Sequence, residues 1–101
     1  MVVRMWHGRV PTLKARAYRE FTNARAIPDY RSTAGNISVH VLERQEGEVT
    51  HFITLTFWEN MDAIKGFAGD NVESAKYYPE DQDFLLEFEP TAVHYEVVGH
   101  S

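Results

Sequence analysis

The chain has 101 residues, 44% of them hydrophobic and 25% charged, with a net charge of −5 and no cysteine. That length holds one hydrophobic core, so residues 1–101 read as a single domain. The acidic balance, with no run of Lys or Arg, argues against nucleic acid and anionic membrane surfaces as partners. The missing cysteines exclude disulfides, thiol nucleophiles and thiolate metal sites together.

Val2 to Val10 has strand composition and ends at Pro11. The start of the chain turns polar within a few residues, and no stretch approaches membrane-span length, so neither a signal peptide nor a membrane anchor is expected and the location reads as cytoplasmic. Thr12 is placed to cap a helix whose apolar stripe would be Leu13, Ala17, Phe21 and Ala24, ending at Ile27-Pro28-Asp29. Ile37 to Arg44 and Val49 to Trp58 are rich in β-branched and aromatic residues, with Glu46-Gly47 as a tight turn between them. A two-residue loop centred there sets Leu42 opposite His51 and His40 opposite Ile53. Asn60 caps a short second helix that buries Ile64, Phe67 and Ala68 and stops at Gly69.

Residues 70–90 show no sustained period. Glu73 to Tyr78 reads as a helical turn, and Pro79-Glu80-Asp81 as a helix start with Phe84, Leu85 and Phe88 on its buried side. The acids Glu80, Asp81, Asp83, Glu87 and Glu89 read as a solvated face. Ala92 to Val98 is the last strand.

Strand, helix, strand, strand, helix, strand is the ferredoxin-like βαββαβ order: an α+β domain with an antiparallel sheet and both helices on one face. A sheet with its other face in water should alternate apolar and polar residues. Here Ile53, Leu55 and Phe57 oppose Phe52 and Trp58, and Val3 and Met5 oppose Val2 and Trp6, so both faces are apolar. A second copy packing sheet to sheet would cover the exposed face, which predicts a homodimer.

The element order, the strand end Thr56-Phe57-Trp58-Glu59-Asn60 followed by Ala63-Ile64, and the close Glu89-Pro90 with His94-Tyr95-Glu96-Val97-Val98 resemble the antibiotic biosynthesis monooxygenase family. The resemblance implies a dimeric α+β barrel with a pocket between sheet and helices in each subunit. It also implies a monooxygenase without metal or flavin, acting on a small aromatic, polyphenolic or quinol substrate. It carries the pocket Trp onto Trp58 and a polar first-strand residue onto His7 or, shifted by one, Gly8. Haem-degrading relatives use a His near the second helix, whereas residues 59–93 contain none here.

His7 and His94 are the candidate proton acceptors, because a neutral imidazole can take a proton from a phenol and return it. Trp58 could stack on a flat ligand, Thr54 and Thr56 interrupt an apolar central strand, and Tyr77 or Tyr78 could close the mouth, giving a pocket for a small apolar or aromatic ligand. Each has a plainer reading: a hydrogen-bonded strand His, a core Trp, ordinary strand threonines, a packed loop Tyr. His40 and His51 lack a third ligand, so no metal site is expected, and no phosphate loop or nucleophile elbow is present. Two other functions fit the same pocket: a binding or stress-response barrel without catalysis, and an isomerase or decarboxylase.

Overall fold

The computed structural model describes all residues, Met1–Ser101. Strands β1 (Val2–Pro11), β2 (Asn36–Glu46), β3 (Val49–Trp58) and β4 (Val93–Glu96) form one antiparallel sheet in the order β2-β3-β1-β4. That is the ferredoxin-like arrangement. Helices α1 (Ala15–Phe21), α2 (Ile27–Arg31) and α3 (Met61–Ala68) supply the helical layer, and none is long and apolar enough to cross a membrane.

Period two decides which side chain goes where. On β1 the even-numbered residues Val2, Arg4, Trp6, Gly8 and Val10 are buried, and on β3 so are Thr50, Phe52, Thr54, Thr56 and Trp58. These two rows pair directly and lie under the helices. The odd-numbered rows, including Val3, Met5, Ile53, Leu55 and Phe57, stand on the other face with Val93 and Tyr95, which are 47% and 56% exposed. No element covers that face.

The helical layer departs from the predicted stripe. Leu13 is fully exposed, and the buried line is Ala15, Tyr18, Thr22, Ala26 and Tyr30. Thr12 is not a cap: it belongs to a 3₁₀ turn over Thr12–Lys14, and its hydroxyl bonds the Gly47 carbonyl and Thr50 Oγ1. The helix also runs past Pro28, through a π turn over Thr22–Ala26. Pro28 falls directly after the wider turn, which takes in a residue without an N–H inside a continuous helix and lets Tyr18, Thr22, Ala26 and Tyr30 stay aligned at spacings of four.

The hairpin register is offset by one residue on each strand: Leu42 pairs with Ile53, His40 with Leu55 and Arg44 with His51. Gly47 has φ +61° and no non-glycine residue has positive φ. Glycine must therefore occupy the first loop position, as in a type II′ turn, which makes the loop Gly47-Glu48 rather than Glu46-Gly47. Asn60 caps α3 through the Ala63 N–H, and Gly69 ends it at φ +88°.

Residues 73–78 are not helical: Glu73 ends a turn, Ser74 bridges Thr91, and backbone groups of Glu73 and Ala75 bond those of Ala92 and Pro90. A 3₁₀ turn over Pro79–Asp83 follows. Leu85 joins the core with Trp6 and Phe52, while Phe88 is 46% exposed. The segment packs on the helix side of the sheet, and Leu86 extends along the edge of β1 by bonding the Arg9 carbonyl.

Two buried clusters result. One gathers Trp6, Val10, Ala15, Tyr18, Phe52, Leu85 and Ala92; the other gathers Val2, Ala26, Tyr30, Trp58, Ile64 and Phe67. Gly8 is required by the first: the Trp6 indole lies where a Cβ on residue 8 would be, and Leu85 Cδ2 is only 3.1 Å from that point. Gly8→Ala is expected to cost about 1–3 kcal/mol, the range for overpacking a tight core, with a changed Trp6 fluorescence. Urea unfolding of the variant measures it, and wild-type stability would contradict this placement of the indole.

Candidate functional site

The seam between the two clusters is a cleft walled by Trp6, Tyr18, Phe21, Tyr30, Tyr77 and Tyr78, with Thr22, Ala26, Thr54, Lys76 and Asp81 completing it. Measured to its mouth it holds about 340 Å³, but its enclosed part is about 20 Å³, roughly the room for one water. The strands supply Trp6 and Thr54 from their even-numbered rows. The helical line supplies Tyr18, Thr22, Ala26 and Tyr30, and the irregular segment supplies Lys76, Tyr77, Tyr78 and Asp81.

Tyr77 is fixed twice: its hydroxyl donates to the Glu89 carbonyl and accepts from Trp6 Nε1 at 3.2 Å. Tyr78 donates to Asp29 Oδ2 at 2.6 Å, and Lys76 Nζ bonds the same oxygen at 2.8 Å. Burial pushes the phenols up: Tyr30 to about 12, and Tyr18 and Tyr78 further still. All three are neutral phenols at physiological pH.

Asp81 is the only carboxylate in the cleft wall. It is 3% exposed, against the solvated face its sequence neighbourhood suggested. Its Oδ2 accepts the Tyr78 N–H at 2.7 Å, closing the 3₁₀ turn. Burial raises its pKa from the ordinary value, and the Tyr78 N–H only partly opposes this. A desolvated carboxyl facing aromatic walls is a suitable proton acceptor for a phenolic ligand.

Of the residues proposed from sequence, Thr54, Tyr77 and Tyr78 meet at the cleft. Trp58 does not: it is wholly buried, donates to Thr56 Oγ1 at 2.8 Å and packs against Tyr30 and Phe67. Thr56 is spent on that bond and on the Arg4 carbonyl. His94 is on the helix side beside Arg4 but outside the cleft wall; burial lowers its pKa, and its Nε2 is buried without a partner.

His7 is on the opposite face of the sheet, so it cannot serve this cleft; its odd position on β1 puts it there. Its Nε2 lies 2.9 Å from His51 Nδ1, its Nδ1 lies 3.0 Å from Glu89 Oε2, and His51 Nε2 lies 3.2 Å from Glu46 Oε1. The two imidazoles thus form a hydrogen-bonded pair that runs from Glu89 to Glu46. His51 therefore partners His7, and His40 instead packs edge-on against Phe57. No group of three or more His, Cys, Asp or Glu is arranged to hold a metal ion.

Sequence reasoning missed Trp6 and Asp81. The first had a usable signal, since it shares the even-numbered face of Val2 and Val10. Asp81 had none, because its burial depends on an irregular turn.

No family model and no curated protein matches the sequence. Solved structures do match the fold. A candidate antibiotic biosynthesis monooxygenase from Nitrosomonas europaea superposes with a TM-score of 0.70 at 19% identity, over 98% of this chain and 100% of its own. The haem-degrader MhuD from Mycobacterium tuberculosis, with two haems bound in its active site, gives 0.68 at 19% identity, over 100% and 99%. A candidate antibiotic biosynthesis monooxygenase from Bacillus cereus gives 0.66 at 16% identity, over 99% and 95%. The chain thus has the ferredoxin-like α+β fold of antibiotic biosynthesis monooxygenase-type proteins.

Haem, present in one of these structures, does not suit this cleft, because no His, Cys or Met lines it.

Asp81 yields a stability prediction. Its folded pKa is raised, so between the ordinary carboxylate value and the raised one the folded state binds more protons than the unfolded, and stability falls as pH rises through that window. Asp81→Asn keeps an acceptor for the Tyr78 N–H and removes the buried charge. The variant should be at least as stable as wild type at neutral pH and should lose that segment of the pH dependence. Urea midpoints from about pH 4 to about pH 8, spanning the carboxylate range, check it. A large loss of stability in the variant would contradict it.

Proposed function

We propose that the chain is a small-molecule oxygenase of the antibiotic biosynthesis monooxygenase type, working without metal or flavin on an electron-rich hydroxylated aromatic held in the helix-side cleft. The observation that carries this reading is Asp81: a buried carboxylate, with its pKa raised by burial, set among aromatic walls. Loss of the substrate's hydroxyl proton to Asp81 leaves an electron-rich anion able to reduce oxygen. The substrate carbon gains one oxygen atom as a carbonyl while the other leaves as water, so the substrate supplies all the electrons. Thr54, Tyr77 and Tyr78 hold and orient the ring. The enclosed space is small, so a substrate enters by moving the Tyr77 and Tyr78 rings outward while the Tyr78 N–H keeps Asp81 in the wall.

Oxygen uptake with a panel of anthrones, naphthols and quinols tests the reading. Turnover with one of them should fall by roughly a hundredfold or more in Asp81→Asn, the usual scale for losing a general base. Binding without uptake across the panel would favour a ligand-sequestering protein of the same fold. Product formation without oxygen would favour an isomerase or decarboxylase.

The working unit in this proposal is a homodimer joined through the open sheet face. Val3, Met5, Leu55, Phe57, Val93 and Tyr95 stand together there with nothing over them. Light scattering coupled to gel filtration should give about twice the 11.7 kDa chain mass. A monomer at micromolar concentration would remove the dimer from the proposal.

A further inference from the structure

Arg4 is 1% exposed, on the helix face of the central strand β1, and stands in no ion pair with a carboxylate. Its guanidinium reaches the Tyr30 hydroxyl at 3.4 Å and the Ser74 carbonyl at 2.9 Å, and its Nε is buried with no partner. Arginine stays protonated even when burial lowers its pKa, as it does here. Tyr30, held up at about 12, supplies no negative charge. A buried, unneutralised cation is among the most expensive features a core can hold. A purely structural role for this position would be met by an apolar side chain of similar length.

The surroundings point the same way. The Arg4 guanidinium carbon lies 5.5 Å from the centre of the Phe67 ring and Lys76 Nζ lies 4.4 Å from it, while Tyr30 stacks on Phe67 at 3.9 Å. Lys76 lines the cleft, whereas Arg4 lies behind Tyr30, outside the cleft wall; Asp29, bonded to Lys76, neutralises that cation and leaves Arg4 without a carboxylate. His94 adds a buried, unpartnered Nε2 beside Arg4. Asp81 also lines the cleft, and Tyr30 feels both Arg4 and Asp81. The site is thus polarised, cationic behind Tyr30 and acidic at Asp81.

We propose that the cleft is built for a hydroxylated aromatic acid, bound with its carboxylate toward Arg4 and Lys76 and its hydroxyl toward Asp81. The proposal rests on the helix-side cleft being the ligand site and adds the ligand's charge and orientation. The carboxylate replaces the long Tyr30 contact of Arg4, takes up the free Nε–H, and completes a charge-assisted pair in a desolvated setting. The ring occupies the space between Trp6, Tyr18 and Tyr77. A neutral hydroxyaromatic of the same shape would fit the walls but leave Arg4 uncompensated.

The test compares para-hydroxybenzoate with para-hydroxybenzamide, and a hydroxynaphthoate with its amide, by NMR titration of the ¹⁵N-labelled full chain at neutral pH. The backbone amides of Ala26, Tyr30 and residues 76–78 are the reporters. Each acid should bind wild type about tenfold or more tighter than its amide, a difference of about 1.4 kcal/mol. In Arg4→Met that preference should vanish while the amides bind as before. Arg4→Lys, which keeps the charge without the planar fork, should retain part of it. Removing the uncompensated cation should leave ligand-free Arg4→Met at least as resistant to urea as wild type. Equal affinity for acid and amide in wild type, or an acid preference that survives in Arg4→Met, would overturn the proposal while leaving the cleft as the ligand site. If no probe shifts the cleft reporters, the cleft reading fails and this proposal with it. The wild-type comparison and Arg4→Lys decide the matter should Arg4→Met not fold.

Discussion

The pairing of β1 with β3 is the constraint on which the rest of the molecule depends. These two long strands run side by side in the middle of the sheet, in strict register from Val2 opposite Trp58 to Pro11 opposite Val49. Because side chains alternate, that one register sends every even-numbered residue of both strands under the helices and every odd-numbered residue to the open face. A slip of one residue would turn one of the two strands over, placing either His7 beneath the helices or Trp58 in the open. The apolar weight of Trp6, Phe52 and Trp58, all buried, forbids it. Both the aromatic cleft and the bare face follow from this choice.

The helical layer then decides what kind of cleft this is. A regular α-helix from Thr12 onward would have turned its stripe away from the sheet before reaching Tyr30. The 3₁₀ entry and the π turn hold Tyr18, Thr22, Ala26 and Tyr30 in one line across the sheet. Two cores form with a seam between them, and the irregular segment closes the seam with Tyr77, Tyr78 and Asp81. Irregular backbone at this position has its polar groups accounted for by pairing with residues 90–92 and by the Asp81 cap. The cap holds Asp81 at the cleft at the expense of burying its charge.

What was legible in the sequence follows the same physics. Period-two alternation over ten-residue strands is a strong signal, and it set out the sheet and its two apolar faces. It also places His7 with Val3 and Met5 and apart from Trp6, so the position of His7 could be read from residues alone once the strand was taken as regular. The hairpin register turned on whether Gly47 stands first or second in the loop, a question of one φ angle. Asn60 and Gly69 bracketed α3 because caps are local chemistry. The stripe of the first helix was lost because 3₁₀ and π turns break the period of 3.6 on which it was read. Asp81 looked solvated among Glu80, Asp83 and Glu87, and only the turn that carries it shows otherwise.

The charges on the two faces of the sheet differ in how deeply they are buried. On the open side the His7–His51 pair ends on Glu89 and Glu46, and Arg9 meets Glu87 in a two-pronged contact at 2.7 and 2.9 Å. Each group there is answered by another from the same chain. On the helix side Arg4 and Asp81 are more deeply buried, so each has more to gain from an opposite charge, yet they occupy the same layer without forming an ion pair. Buried charges gain most when neutralised and are most costly when left alone. That contrast is what supports the proposed ligand: a molecule with an acid at one end and a hydroxyl at the other would answer Arg4 and Asp81 in turn.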